Sequence, residues 1–197
     1  MVKRAVFVLL PLFISVSAVF AGAQNDSSEL IWKLGLLNNK TGKMISFEQP
    51  IQSWDGQEFI IKIEPQAPCY CYIIAEKDDG DEVGYLYSGS IQKGEDWNSS
   101  IMILSPPSGS EALYVIISRE EQKTLAQRIS ALNDSVSSQR AVMNEIFRLR
   151  GELSQFKEVP EKPVLMGGAS RSTTPDAWQG VEYSGLKTYV KTIIIEH

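Results

Sequence analysis

The feature that most constrains this chain is a change of period at Ser118. From Glu29 to Ser118 apolar residues recur mostly at every second position, the spacing that lets a strand bury one face. Leu30, Trp32, Leu34 and Leu36 alternate with Ile31, Lys33 and Gly35, and Phe59, Ile61 and Ile63 alternate with Ile60, Lys62 and Glu64. Cys69, Cys71, Ile73 and Ala75 do the same against Tyr70, Tyr72 and Ile74. Beyond Ser118 the spacing becomes helical: Leu125, Ile129, Leu132 and Val136, then Val142, Ile146, Leu149, Leu153 and Phe156, fall three or four residues apart. Strands come first and helices second, which selects a mainly β, α+β architecture.

Turn chemistry divides the first part. Pro65-Gln66-Ala67-Pro68 between two alternating runs reads as a hairpin turn. The charged stretch Glu76 to Glu82 reads as a solvated turn that leads into a short strand, Val83 to Tyr87. Ser100 to Leu104 and the β-branched, aromatic run Ala112 to Ile117 supply further strands, separated by Pro106-Pro107-Ser108-Gly109. Several short strands with turns between them predict an antiparallel β-sandwich-like domain or a small barrel. Ser118 with Glu121 has the spacing of a capping box, so the helix is expected to begin there and to break or bend near Asn133-Asp134-Ser135. Glu145 with Arg148 reads as a helix-surface pair. The Pro, Gly and Ser content of residues 158–180 predicts a loop. Tyr189, Lys191, Ile193 and Ile195 alternate with Val190, Thr192 and Ile194, and such an apolar segment is expected to return to the sheet as its last strand.

The order of these features resembles bacterial domain-of-unknown-function family 4384, a module of exported and envelope-associated proteins. The resemblance rests on Asp55-Gly56 entering a strand, Cys69-Tyr70-Cys71-Tyr72-Ile73-Ile74, Gly84-Tyr85-Leu86-Tyr87, and the Pro107 to Gly109 approach to Glu111–Ser118. It spans roughly residues 49–118 and departs from the family at Ser88, where a proline is usual. The resemblance implies an envelope module without agreed catalytic residues.

The N-terminus predicts export. Met1-Val2-Lys3-Arg4, an apolar run from Ala5 to Phe20 and the small residues Ala21-Gly22-Ala23 have the layout of a cleavable leader, with an uncleaved anchor as the competing reading. The organisation expected is therefore a leader over 1–23, a β domain over 24–118, a helical arm over 119–157, the loop over 158–180 and a final strand over 181–197. Loss of Lys3 and Arg4 takes the formal charge from −5 to −7, which disfavours nucleic acid and anionic lipid as partners. After the leader no segment has the apolar length of a transmembrane helix. Cys69 and Cys71 lie two apart on a strand, too far for an unstrained disulfide with each other. They read as small buried side chains, with an intermolecular disulfide or a metal site as the alternative.

Sequence patterns for chemistry are sparse. The only histidine, His197, stands at the last position of the sequence, where a catalytic base is poorly held. Ser90-Ile91-Gln92-Lys93 and Lys40-Thr41-Gly42 match fragments of penicillin-recognising enzymes in the wrong order and context. Asp78, Asp79, Asp81 and Glu82 lack the spacing of a calcium loop. No catalytic residue, cofactor or metal ligand is therefore assigned. Trp54, Trp97 and Trp178 sit in polar, turn-like surroundings, where loop tryptophans plug the ends of a β domain or stack on sugar rings. Trp54 and Trp97, with the stripe Val142, Ile146, Leu149 and Leu153, are the candidate interaction residues. The stripe either packs on the domain's own sheet, the preferred reading, or joins chains as a homo-oligomer through the arm. Edge strands offer a further surface. The expected function is non-catalytic binding of another envelope protein or a cell-wall component. The alternatives are an exported hydrolase with an unassigned carboxylate site and a structural subunit of an envelope assembly.

Overall fold

The computed structural model describes residues 29–77, 82–155 and 180–197. Strand β1 (Leu30–Asn38) buries Leu30, Trp32, Leu34 and Leu36, the face its alternation marks. It pairs antiparallel with β4 (Glu58–Pro65) on one side and with β10 (Val181–Gly185) and β2 (Met44–Ile45) on the other. The two-residue strands β7 (Trp97–Asn98) and β8 (Met102–Ile103) extend this first sheet along β4. The second sheet has the order β3 (Ile51–Gln52), β11 (Thr188–Glu196), β9 (Ser110–Ser118), β5 (Cys69–Lys77), β6 (Glu82–Ile91). All its pairings are antiparallel except β3 with β11.

The two sheets face each other across one core, where Trp32, Leu36, Phe59 and Ile61 meet Cys71, Ile73, Val115, Ile117 and Ile193. The opposite face of the second sheet is also buried. Tyr72, Ile74, Tyr114 and Ile116 are covered by Leu125 and Ile129 of helix α1 (Lys123–Ser130) and by Val142, Met143, Ile146 and Leu149 of helix α2 (Val136–Gln155). The two central strands must therefore be apolar at consecutive positions, as Cys69 to Ile74 and Leu113 to Ile117 are. The outer face of the first sheet is instead wet, with ion pairs Lys33–Glu64 (3.7 Å), Lys62–Asp96 (2.8 Å) and Lys40–Glu58 (3.4 Å) along it. The mainly β sandwich with two helices and a strand returning to the sheet near residue 188 is as the patterning predicts.

Four local expectations are corrected. Pro65 to Pro68 does not close a hairpin: β4 and β5 belong to different sheets, and the chain arches from one to the other. With prolines at both corners the segment cannot make a two-residue turn, and β5, apolar on both faces, belongs at the sheet centre. The helix starts at Lys123 rather than Ser118. Ser118 is the last residue of β9, where its hydroxyl meets Thr188 Oγ1 at 3.0 Å and accepts from Gln122 Nε2 at 2.8 Å. The backbone N–H of Gln122, the residue preceding α1, donates instead to the Tyr72 hydroxyl at 2.9 Å, so the start of the helix is fastened by a strand distant in sequence. The helices form a packed layer, not an arm. Finally, the segment 181–197 is two strands, β10 and β11, one in each sheet.

Glu145 is not a surface residue either. Its side chain is 2% exposed, and its carboxylate accepts both Nε and a terminal nitrogen of Arg148, with Arg128 Nη1 of α1 at 3.7 Å. Arg128 also donates to the Ala141 carbonyl, which ties the two helices together. The Arg148 hydrogen bonds outweigh burial and hold the Glu145 carboxyl below its ordinary value. A carboxylate lowered on folding adds stability above its unfolded value of about 4.3, and that stability is lost as pH falls through the folded value. Glu145→Gln is expected to cost about 2 kcal/mol near neutral pH, the scale of hydrogen bonds to charged groups. In urea titrations the gap to wild type should close on acidification below pH ~4; a gap that widens there would contradict this role.

Candidate functional site

The candidate residues do not converge. Val142, Ile146 and Leu149 lie beneath the helices, sealed against the second sheet, and are closed to any partner. This corrects their reading as an interaction stripe; the Leu153 side chain lies outside the described residues. Trp97 is half-buried: it pairs with Ile63 and its ring meets Tyr87 at 4.5 Å, plugging one end of the sandwich core. Trp54, in similar sequence surroundings, is 65% exposed. Trp97 pairs opposite Ile63 near the end of β4, whereas Trp54 lies in the turn that precedes the start of β4 at Glu58. Trp178, Asp78, Asp79, Asp81, the leader-like residues 1–23 and residues 158–179 lie outside the described residues.

The turn that carries Trp54 is braced on every side. Ser53 N–H donates to the Glu196 carbonyl (2.8 Å), Gly56 N–H to Leu104 (2.9 Å) and Gln57 N–H to Trp54 itself (3.1 Å). Gly56 takes φ +80°, a conformation that disfavours any side chain. Asp55 Oδ1 lies 2.7 Å from His197 Nδ1. His197 is thus held firmly, contrary to the expectation for a residue in its position. Its side chain has no solvent exposure, and its Nε2 faces Glu111 Oε1 at 3.5 Å without a hydrogen-bond partner. Two carboxylates converge here, but the imidazole itself fills the space between them.

The thiols are equally enclosed. Cys69 and Cys71 are buried on the core side of β5 and are not joined. Burial, with Glu95 adding to it, pushes the Cys69 thiol up to about 11, and burial also holds the Cys71 thiol well above its ordinary value. Both stay protonated and unreactive at neutral pH. Ser90 and Lys93 occupy a strand and the following turn, and Lys40 to Gly42 a turn after β1, so neither fragment has an enzyme's helical setting. Among the described residues no group of three His, Cys, Asp or Glu side chains is placed to hold a metal ion, and no helix is long and apolar enough to cross a membrane.

What the sequence reading named only in general terms is the edge strand. β6, ten residues long, ends the second sheet with no described strand on its outer side. Its residues Val83 to Ile91 are all uncharged. The register with β5 slips at Ile73/Ile74, so Leu86 is an extra residue with no opposite number, a β-bulge. Tyr85 and Leu86 at this bulge are 55% and 44% exposed. Beyond it the ladder is regular: Ser88 and Ser90 stand on the helix side, while Tyr87, Gly89 and Ile91 stand on the core side. The Tyr87 hydroxyl reaches over Gly89, where a Cβ would come within 2.8 Å of it, and donates to the Ser90 carbonyl at 3.1 Å. The absence of charge from such a strand was readable in the sequence; its place at an edge was not. No family model, curated protein or solved structure matches the chain.

Proposed function

We propose that the protein is a non-catalytic, exported binding module that takes an extended segment of an envelope protein along β6. The observation that carries this reading is a ten-residue edge whose last nine residues bear no charge. An edge strand exposes a row of backbone N–H and C=O groups, and proteins ordinarily protect such a row with lysines, prolines or brevity. The other edges follow that practice, being two residues long or carrying a charge, Glu182 in β10 and Lys191 in the part of β11 that β3 leaves uncovered. β6 has only its bulge, beside which Tyr85 and Leu86 offer apolar grip. Backbone pairing with pockets for alternate side chains is an established way to bind a strand.

The enclosed chemistry supports a binding role over the hydrolase alternative: the converging Asp55 and Glu111 are occupied by His197, and both thiols are buried. The leader-like N-terminus and the resemblance to family 4384 support an exported address. A photo-crosslinking residue placed at Ser88 is expected to yield a discrete adduct in envelope extract, and one placed at Lys33 on the wet face of the first sheet is not. Equal labelling from both positions, or none from Ser88, would remove the reading.

A second reading has one specific observation behind it. Trp54, fixed and exposed on its braced turn, is a stacking surface suited to a sugar ring of cell-wall material. Retention of wild-type protein on such material, lost in Trp54→Ala, is the outcome it requires.

A further inference from the structure

The geometry of β6 points to a particular occupant: a second copy of this chain, paired antiparallel about a two-fold axis at Gly89. The inference rests on β6 being a strand-accepting edge and names what it accepts.

The bulge at Leu86 confines the regular part of the edge to Tyr87–Ile91. A strand that pairs with itself must place its two-fold axis at the centre of the paired run, and the centre of this one is Gly89. That register sets Gly89 against Gly89, Ser88 against Ser90 of the second copy, and Tyr87 against its Ile91. Each match is favourable or neutral. The two Ser88–Ser90 pairs are the small hydroxyl pairs that stabilise antiparallel neighbours. At the axis the glycines leave room for the Tyr87 rings, each already lying over its own Gly89. Continued past the regular run, the same register brings Gln92 and Lys93 of one copy alongside Leu86 and Tyr85 of the other. The exposed tyrosine ring thereby gains a cation beside it, and Leu86 gains cover.

Charge favours this orientation as well. Parallel pairing would set Glu82 beside Glu82, whereas the antiparallel arrangement keeps them at opposite ends, and nothing charged lies between Val83 and Ile91. Joining the edges produces one continuous ten-stranded sheet, β3-β11-β9-β5-β6 and its mirror order, and leaves no long uncharged edge open. The contact is a ribbon rather than a broad face, so the dimer belongs to the weak class and dissociates on dilution.

Analytical ultracentrifugation over a wide concentration range tests this with the protein lacking residues 1–23. Wild type is expected to shift from monomer to dimer as concentration rises. Ser88→Lys combined with Ser90→Lys sets like charges opposite each other twice and should weaken association at least about tenfold. Ser88→Glu with Ser90→Glu should do the same, and an equimolar mixture of the two variants should associate with each other. Both serines are exposed, so unchanged melting curves confirm that folding is intact. A wild-type protein that stays monomeric throughout overturns the dimer, as does self-association unaltered in both variants. A monomer that still forms the Ser88 adduct with a different protein overturns the self-pairing alone and keeps β6 as a binding edge.

Discussion

Ile146→Asp is expected to leave the protein without a cooperative melting transition, whereas Phe147→Asp, one residue further on, should leave it close to wild type. Ile146 is fully enclosed among Tyr72, Ile74 and Ile116 of the second sheet and the facing residues of α1. Losing its apolar contact forgoes roughly 1.5–3 kcal/mol, and a carboxylate with no partner there adds a desolvation cost of several kcal/mol. Together these approach the whole stability of an ordinary domain, about 5–15 kcal/mol. Phe147 stands about 100° further round the helix and is 48% exposed, so its replacement costs far less. Far-UV circular dichroism during a thermal ramp separates the two. An Ile146→Asp protein that melts like wild type but changes its oligomeric state would show that the stripe faces outward after all.

Trp32→Ala is the second large effect. Trp32 is the bulkiest fully buried side chain among the described residues, and its indole stacks on Tyr183 (centroids 6.0 Å) and meets the edge of Tyr189 (5.0 Å). It thereby joins β1 to β10 in its own sheet and to β11 in the other. Truncation opens a cavity at the junction of both sheets and should cost about 3–5 kcal/mol. That lowers Tm by about 10 °C or more for a domain of this size. Near-UV circular dichroism should also lose much of its aromatic signal, because Tyr183 and Tyr189 lose the ring that orders them. Trp32→Phe, which refills part of the space, should recover part of both losses. An alanine variant with wild-type Tm would mean that the aromatic cluster does not join the sheets.

How far such residues could be read in advance depended on whether their environment is local. β1 was legible because one face meets the core and the other meets water, which the alternation of Trp32 and Lys33 records directly. The Pro65–Pro68 arch was not, because a turn within a sheet and a crossing between sheets have the same local chemistry. What distinguishes them is the partner of β5, forty residues further along at β9. The start of α1 was misplaced for the same reason: the Tyr72 hydroxyl that fastens it leaves no trace near Ser118. Trp54 and Trp97 share polar neighbours, yet one is exposed and the other is packed on Tyr87. His197 could not be placed from the sequence, since both its carboxylate neighbours come from distant segments. The preference for packing the helical stripe on the domain's own sheet was correct. The interaction role also given to Val142, Ile146 and Leu149 was incompatible with it.

The position of β11 has a kinetic consequence. Within the second sheet β9 lies between β5 and β11, and Ser118 pairs with Thr188, seventy residues later. Pairing of such remote segments is slow, because the intervening chain must be closed into a loop before any contact rewards it. Until β11 docks, Leu113 to Ile117 line an open apolar border that any other extended chain can occupy.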